Sequence, residues 1–596
     1  MHATFHRLPS VTSSEMQLFG RHVRPPLAHL QVLLVLLVVH IVSSQFPPKF
    51  QPKSQSQSEP QSDPQACNPD VRTRFGPVRG LCARIGDKWD RIFLGIPYAL
   101  PPIEHLRFQL PQPLNVTWNE TYHSIHHGPG CPELPMGNEA MRCDKLQVRN
   151  QDCLYLNIWS PQSSDVSRGG KLKPVLVYIH GGGLIMLSGN DCLINSGKIT
   201  AALGDFVLVT ANFRLGALGF LYSGTPDFPG NMGLHDLVEA IKWVHENIEA
   251  FGGDPQRIAL GGLSSGAFTA GFLYASGAIN KYVNGLILHS GAPGDSVAES
   301  AEQSLERFKV VSKFVGCRDD DQGIDRSVIE CVKKTPTAAL LTAQTMPENR
   351  FPKDRPEVFL PTLDGNLLPK TMGELWRAEK WPKNQWVLIS SVTDEGHIMR
   401  PHFHGATFLK YEDYVNTVRN VTHLLLPDPS RLKQAQEDLV KTYAVGYENA
   451  SATDMEIGFR DLIGDWYIRC HLTHFGEQLS KHNRVYTMKF TYSKKKGLLA
   501  EPYGSRHGIE IYYCFGGPYR NAAQFDDIDR RMSALMIQIW SEFLSDGHSF
   551  WPSYQTTSTG KILHFQQELD LSKEIRQTAL DPEACRCEVW YDYYDK

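Results

Sequence analysis

Short apolar runs alternate with helix-like stretches along most of this chain. Pro174-Val175-Leu176-Val177-Tyr178-Ile179, Phe206-Val207-Leu208-Val209-Thr210, Arg257-Ile258-Ala259-Leu260-Gly261 and Val283-Asn284-Gly285-Leu286-Ile287-Leu288-His289 are strand-like. Trp386-Val387-Leu388-Ile389 and the stretch from Arg484 to Phe490 add two more. Runs that are apolar on both faces and separated by helices predict a mostly parallel sheet covered on both sides. One intervening helix is predicted from Leu234 toward Phe251, where Leu234, Leu237, Ile241 and Val244 fall along one stripe. Another is predicted after Ser264. The predicted class is therefore α/β, with helices flanking a central, mostly parallel β-sheet in one large domain. No internal repeat interrupts the pattern.

The first residues follow a different pattern. An apolar stretch from about Leu30 to Val42 follows Arg21, His22 and Arg24, and Val42-Ser43-Ser44 places small residues just before Gln45. The stretch is shorter than the ~20 residues a membrane-crossing helix needs, so a signal peptide is expected over residues 1–44. A retained signal anchor is the alternative. Residues 45–66 are rich in Gln, Ser and Pro and have too little apolar surface to fold, which predicts a flexible linker. A single large domain is expected over 67–596. There is no second run of spanning length, so no stable membrane insertion is expected.

Composition narrows the class without deciding it. The hydrophobic share is 41%, the charged share 21% and the net charge -4, which excludes a field that draws nucleic acid. Lys494-Lys495-Lys496 is expected to be a solvated loop. Twelve cysteines and four sequons, at Asn115, Asn119, Asn420 and Asn449, agree with a secreted, extracellular glycoprotein with disulfide bonds.

The candidate chemistry sits at the ends of the strands. Gly262-Leu263-Ser264-Ser265-Gly266 follows one apolar run and opens into a predicted helix. Small residues two before and two after a serine let strand and helix pack closely and leave the hydroxyl exposed on a strained turn. His180-Gly181-Gly182-Gly183 follows another strand, and such a glycine run offers amides to an oxyanion. Asp394-Glu395-Gly396 and His507-Gly508 come later, in the order serine, acid, histidine. Ser264 needs a base to become a nucleophile, and His507 is the candidate. Spacing alone does not single out the acid among 64 acidic side chains. His245-Glu246-Asn247-Ile248-Glu249 lacks the second histidine of a zinc helix, and the glycine run lacks a dinucleotide-binding continuation. No metal or cofactor is expected; the partner is a small-molecule ester.

These residues resemble the type-B carboxylesterase and cholinesterase family of α/β-hydrolases. The resemblance covers nearly the whole chain after the linker. It rests on Phe93-Leu94-Gly95-Ile96-Pro97-Tyr98-Ala99, Asp152 to Trp159, Gly230 to Asp236, Phe251-Gly252-Gly253-Asp254-Pro255 and His507 to Ile511. It implies a Ser264, Glu395 and His507 triad and oxyanion amides at Gly182, Gly183 and Ser265. It also implies disulfides Cys131–Cys153 and Cys317–Cys331, and a long-range bond from Cys470 to Cys587 or Cys585. Cys67–Cys82 is suggested by proximity, while Cys143, Cys192 and Cys514 have no assigned partner.

Two departures change the expected substrate. Leu263 stands where the family usually has a glutamate, and Pro132 to Asp152 has no aromatic residue to hold a quaternary ammonium by cation–π attraction. Uncharged esters are therefore expected, with Trp466 or Tyr513 the candidates for restoring a cation platform. The rival reading is a catalytically weak or silent adhesion or scavenger protein of the same fold.

Overall fold

The computed structural model describes residues 67–591, apart from 134–147, 166, 168, 192–195, 320–321, 346–358, 404–405, 426–429, 495–501, 522, 550, 557–561, 564–565, 571–576 and 579–581. The chain divides into a unit Met1–Gln61 and a unit Ser62–Lys596, and the described residues belong to the second. The expected signal peptide and linker lie outside the described residues.

Among the described residues, eleven strands form one sheet. They are β1 (Leu81–Ile85), β2 (Lys88–Pro97), β3 (Tyr155–Pro161), β4 (Lys173–Ile179), β5 (Val207–Ala211) and β6 (Gly253–Leu263), followed by β7 (Gly285–His289), β8 (Trp386–Val392), β9 (Arg484–Phe490), β10 (Gln566–Leu569) and β11 (Gln577–Thr578). Their lateral order is β11-β10-β9-β8-β7-β6-β4-β5-β3-β2-β1. Neighbours from β5 across to β10 run parallel. β1 to β3 at one edge and β11 at the other pair antiparallel.

The strand period of two explains why the runs are apolar throughout. Val175, Val177, Ile179, Ile258, Leu260, Leu286, Leu288, Val387 and Ile389 enter one core. Leu176, Tyr178, Ala259, Ile287, Leu388, Tyr486 and Met488 enter a second core on the other face. The first core is covered by α1 (Met232–Asn247) and α2 (Ser265–Ser276). Leu234, Leu237, Ile241 and Val244 of α1 are all buried, as their spacing predicts. The helical run ends earlier than expected, at Asn247, and a 3-10 turn over Ile248–Phe251 leads to Gly252 at φ 87°.

A third, mostly helical core joins α3 (Tyr411–Leu425), α4 (Leu432–Tyr443) and α5 (Ala452–Gly464). A π-helical turn, Asp465–Arg469, connects α5 to α6 (Cys470–Ser480). The second core takes α7 (Ile509–Cys514) and α8 (Asp527–Asp546), and α9 (Pro582–Tyr591) closes the third through Cys587 and Trp590.

Four disulfides are present among the described residues: Cys67–Cys82, Cys131–Cys153, Cys317–Cys331 and Cys470–Cys587. The last ties α6 to α9 across 117 residues. Cys514 is a buried free thiol. Cys143 and Cys192, together with the side chain of Cys585, lie outside the described residues.

Lys494 departs from the expected solvated loop. Its ammonium donates to Asp529 at 2.5 Å and to the Gln524 carbonyl at 3.2 Å. The physical reason is the buried Asp529 carboxylate, whose other oxygen accepts from the Tyr492 and Tyr513 hydroxyls; a buried charge needs an ionic partner. Lys495 and Lys496 lie outside the described residues.

Buried polar groups also hold the sheet to its helices. Arg214, just after β5, donates from Nε and Nη2 to the two carboxylate oxygens of Asp236 in α1, at 2.8 and 2.6 Å. Both side chains are almost fully buried. Asp236→Ala leaves an unpaired buried guanidinium and is expected to destabilise the fold by about 3–5 kcal/mol. The midpoint of denaturant unfolding, followed by tryptophan fluorescence, measures this.

Candidate active site

The loops after β4, β6, β7, β8 and β9 leave the same edge of the sheet. The register sets this, pairing Ile179 with Gly262, Leu263 with His289, His289 with Ser390 and Val392 with Phe490. β4 and β6 lie side by side although β5 comes between them in sequence, so the chain reverses its lateral course there. Open α/β sheets form their ligand crevices at such reversals.

Ser264 caps β6 at φ 54° and ψ −124°, and α2 starts at Ser265. Positive φ is strained for a serine and persists only where its surroundings hold it. Here the Ser264 amide donates to the His289 carbonyl at 2.9 Å, and the Ser264 carbonyl accepts from the amides of Ala267 and Phe268 at 2.9 and 3.0 Å. The glycine spacing is equally constrained. A Cβ at Gly262 would lie 2.5 Å from the Gly266 carbonyl carbon, and one at Gly266 would lie 2.3 Å from the Ile179 carbonyl oxygen. Only hydrogens at these two positions allow β6, α2 and β4 to cross so closely.

The glycine run after β4 lies beside this turn. A Cβ at Gly181 would be 3.3 Å from Ser264 Cβ. Gly182 and Gly183 take φ of 106° and 62°, and the amides of Ile185 and Met186 turn back onto the Gly182 carbonyl at 3.1 Å. The amides of Gly182, Gly183 and Ser265 donate no hydrogen bond among the described residues. His180 anchors the start of the run: its ring stacks on Phe213, and Nδ1 is 2.8 Å from the Gly181 carbonyl. Burial lowers its pKa to about 4, which keeps the ring neutral.

Glu395 and His507 meet because β8 and β9 continue their parallel pairing past the sheet. An isolated bridge joins Asp394 to Arg506, and the Asp394 amide donates to the Ser505 carbonyl at 2.9 Å. His507 Nδ1 and Glu395 Oε2 are then 2.6 Å apart, across 112 residues of sequence. Glu395 Oε1 accepts from the Val392 amide at 2.9 Å. Gly396 lets this loop pack on α5, since a Cβ there would lie 2.1 Å from the Arg460 carbonyl oxygen. Asp394 is held by Arg460 at 2.7 Å.

Burial pulls the pKa of His507 down, and the hydrogen bond and charge of Glu395, joined by Glu510 and Asp394, outweigh it; the net direction is upward from 6.5. The loop after His507 packs on the strand that carries Ser264: a Cβ at Gly508 would be 3.2 Å from Leu263 Cδ2. His507 Nε2 is buried without a hydrogen-bond partner among the described residues.

The structure thus gathers the elbow, the amide donors and a carboxylate-held imidazole at one sheet edge. A hydroxyl, an oriented imidazole and free amides are the parts that acyl transfer requires. Other residues singled out by sequence lie elsewhere. Trp466 and Tyr513 are core residues, with Trp466 Nε1 donating to the Leu425 carbonyl and the Tyr513 hydroxyl to Asp529. Glu246 pairs with Arg74, and His245 packs edge-on against Tyr282. No group of three or more potential metal ligands is found among the described residues. The asparagines of all four sequons are exposed, while Thr422 of the Asn420 sequon is buried in α3.

The sequence reading missed the buried polar residues behind the site: His289, Ser290 and Glu510. Glu510 carried a signal, as a lone acid in the apolar stretch Ile509-Glu510-Ile511-Tyr512-Tyr513-Cys514-Phe515.

The mixed, mostly parallel sheet and its flanking helices define an α/β-hydrolase. The chain belongs to the carboxylesterase family, whose model matches residues 67–590. It is 27% identical to acetylcholinesterase-1 of Trittame loki, over 88% of this chain and 95% of that protein. It is 28% identical to acetylcholinesterase of Bungarus fasciatus, over 88% of this chain and 86% of the relative. It is 29% identical to cholinesterase of Mus musculus, over 88% and 87% of the two chains.

The balance of forces on His507 gives an outcome independent of any activity. Its imidazole is expected to titrate above 6.5, and Glu395→Gln is expected to lower the midpoint by removing the largest opposing contribution to burial. Histidine Cε1–H resonances followed against pH in both proteins measure the difference.

Proposed function

We propose that the protein is a secreted serine carboxylic-ester hydrolase that acts on uncharged esters through an acyl-enzyme. The observation that carries this reading is the 2.6 Å Glu395–His507 contact, on a loop packed against the residue before a strained Ser264. In the proposed cycle Ser264 Oγ attacks the ester carbonyl as His507 Nε2 takes its proton. Glu395 holds the imidazole tautomer and stabilises the imidazolium. The amides of Gly182, Gly183 and Ser265 receive the developing oxyanion. The intermediate expels the alcohol, which takes the proton from His507. A water molecule then repeats the sequence on the acyl-enzyme, and the carboxylic acid leaves.

The relatives are named acetylcholinesterases and a cholinesterase, which makes choline esters the competing substrates. Three features favour uncharged esters here. Residues 132–152 contain no aromatic side chain, Leu263 replaces an acid, and the two distant aromatics suggested by sequence are buried in the core. Secretion is supported by the four disulfides and the exposed sequon asparagines, together with the apolar leader read over residues 1–44. No helix among the described residues is long and apolar enough to cross a membrane.

Ser264→Ala is expected to lower ester turnover at least ~10³-fold while the protein still folds. Organophosphate labelling with peptide mapping is expected to place the adduct on Ser264. An adduct on Ser265 would reassign the nucleophile, and absent turnover by folded wild-type protein would favour the silent adhesion reading.

A desolvated cation–π contact is worth ~2 kcal/mol, so its loss removes about 30-fold of preference for a cation. The expected outcome is a higher kcat/KM for 3,3-dimethylbutyl butyrate than for butyrylcholine. A tenfold preference for the choline ester would turn the assignment toward a cholinesterase.

A further inference from the structure

At the end of the sheet away from Ser264 the chain builds a polar cavity that the cycle above does not use. Its volume is about 540 Å³, and it lies where β8 and β9 begin. Lys383, Lys481, His482 and Arg484 line it, together with the side-chain amides of Asn384 and Asn483. Trp386 and Arg484 are the paired first residues of the two strands, whereas Val392 and Phe490, at the other ends, lead toward Glu395 and His507. Over the seven residues of β8, a rise of ~3.3 Å per residue puts about 20 Å between the two ends. A ligand held here leaves the Ser264 edge open.

The two loops that form the cavity are bonded to each other, so its shape is fixed. The Asn384 amide donates to the His482 carbonyl at 2.9 Å, and the Arg484 amide to the Gln385 carbonyl at 3.0 Å. The Gln385 amide donates to Asn483 Oδ1 at 2.9 Å. This last bond orients the Asn483 side chain, whose Nδ2 is buried and has no hydrogen-bond partner among the described residues. A buried donor left without an acceptor is costly, and an anionic oxygen is the acceptor that satisfies it best.

The charge at this end has one sign. Lys380–Trp386 and Ser480–Arg484 contain no acid, although the whole chain carries a net charge of -4. The neighbouring Glu379 accepts from Lys383 Nζ at 3.1 Å and lies 2.9 Å from His482 Nε2, so its charge is already matched. Lys481 Nζ donates to the neutral Gln478 Oε1 at 2.6 Å. Arg484 and Lys380, which flanks the cavity three residues before Lys383, are exposed and make no ion pair among the described residues.

We propose that this cavity is a docking site for a sulfated polysaccharide, whose sulfate oxygens accept from Asn483 Nδ2 and lie among Lys380, Lys481 and Arg484. Sulfates repeated along a chain match cations spread over a rim, where a single small anion engages only some of them. Nucleic acid fits less well. Trp386, the aromatic residue of the lining, is packed against Gly547, where a Cβ would lie 1.8 Å from its ring, so no row of stacking platforms is offered to successive bases. The choice of a glycan rests on the proposed secretion, since sulfated polysaccharides are extracellular.

The test measures binding of the purified protein to heparin by titration calorimetry. Wild type is expected to bind saturably at ~0.15 M salt and to weaken as salt rises. Lys380→Gln, Lys481→Gln and Arg484→Gln combined are expected to raise the Kd about tenfold, the yield of three surface ion pairs. Lys171→Gln, Lys410→Gln and Lys433→Gln combined make the same charge change at exposed lysines elsewhere and are expected to leave the Kd within about twofold, because distant charges are screened. Asn483→Asp keeps an acceptor for the Gln385 amide but replaces the buried donor with an oxygen, and is expected to weaken binding as well. Near-UV circular dichroism verifies the fold of each variant.

No binding by wild type overturns the proposal, as does wild-type affinity in either cavity variant or an equal loss in the lysine control. Tighter binding of single-stranded DNA of matched charge also overturns it and makes the site one for nucleic acid. A chain retained inside cells sinks the secreted reading alone, while the heparin comparison still reports the cavity. Secreted protein that ignores heparin sinks this inference alone.

Discussion

The site depends on the continuation of β8–β9 pairing beyond the sheet. The Asp394–Arg506 bridge and the Asp394 amide on the Ser505 carbonyl bring Glu395 to His507. Neither loop would place its side chain to hydrogen-bond accuracy alone, because free loops sample many backbone states. Extending a parallel pair removes that freedom using the same hydrogen bonds that build the sheet. The Arg460–Asp394 ion pair and the close fit of Gly396 on α5 then lock the acid-bearing loop from behind.

The other half of the site is held by steric necessity. Positive φ at Ser264 costs energy, on the order of 1–3 kcal/mol for such a conformation, and the fold bears it because β4, β6 and α2 touch through glycines. Ser264 and the amides beside it are thus set by backbone packing, whereas Glu395 and His507 are set by polar contacts. That difference explains the electrostatics. Burial lowers the pKa of His507 but Glu395 against it turns the net direction upward, while His180 and His289 are buried without a carboxylate at hydrogen-bond distance and stay neutral.

Membership of the carboxylesterase family fixes the fold, not the recognition of one substrate. The match to the carboxylesterase family spans residues 67–590, and the relatives are 27–29% identical over 88% of the chain. Leu263 and the aromatic-free sequence from Pro132 to Asp152 fall within the span matched by the family. One backbone scaffold can serve different substrates, because side chains at the site set recognition.

Much of this protein was legible in its sequence. Apolar runs without alternation determined the buried parallel strands, and helical spacing of Leu234, Leu237, Ile241 and Val244 determined a helix on the sheet. The glycine register around Ser264 pointed to the elbow because strand, turn and helix are local in sequence. The pairing of Lys494 was not legible, since it depends on Asp529, supplied from elsewhere in the chain. Sequence order made Glu395 a candidate acid, but only the alignment of β8 with β9 brings it within 2.6 Å of His507. The His289–Glu510 pair was invisible for the same reason: its residues come from a strand end and a helix that meet only after the sheet has formed. Local pattern encodes elements because short-range sterics and burial periodicity act within a few residues. Contacts between titratable groups far apart in the chain exist only once tertiary packing has excluded water and set their distances.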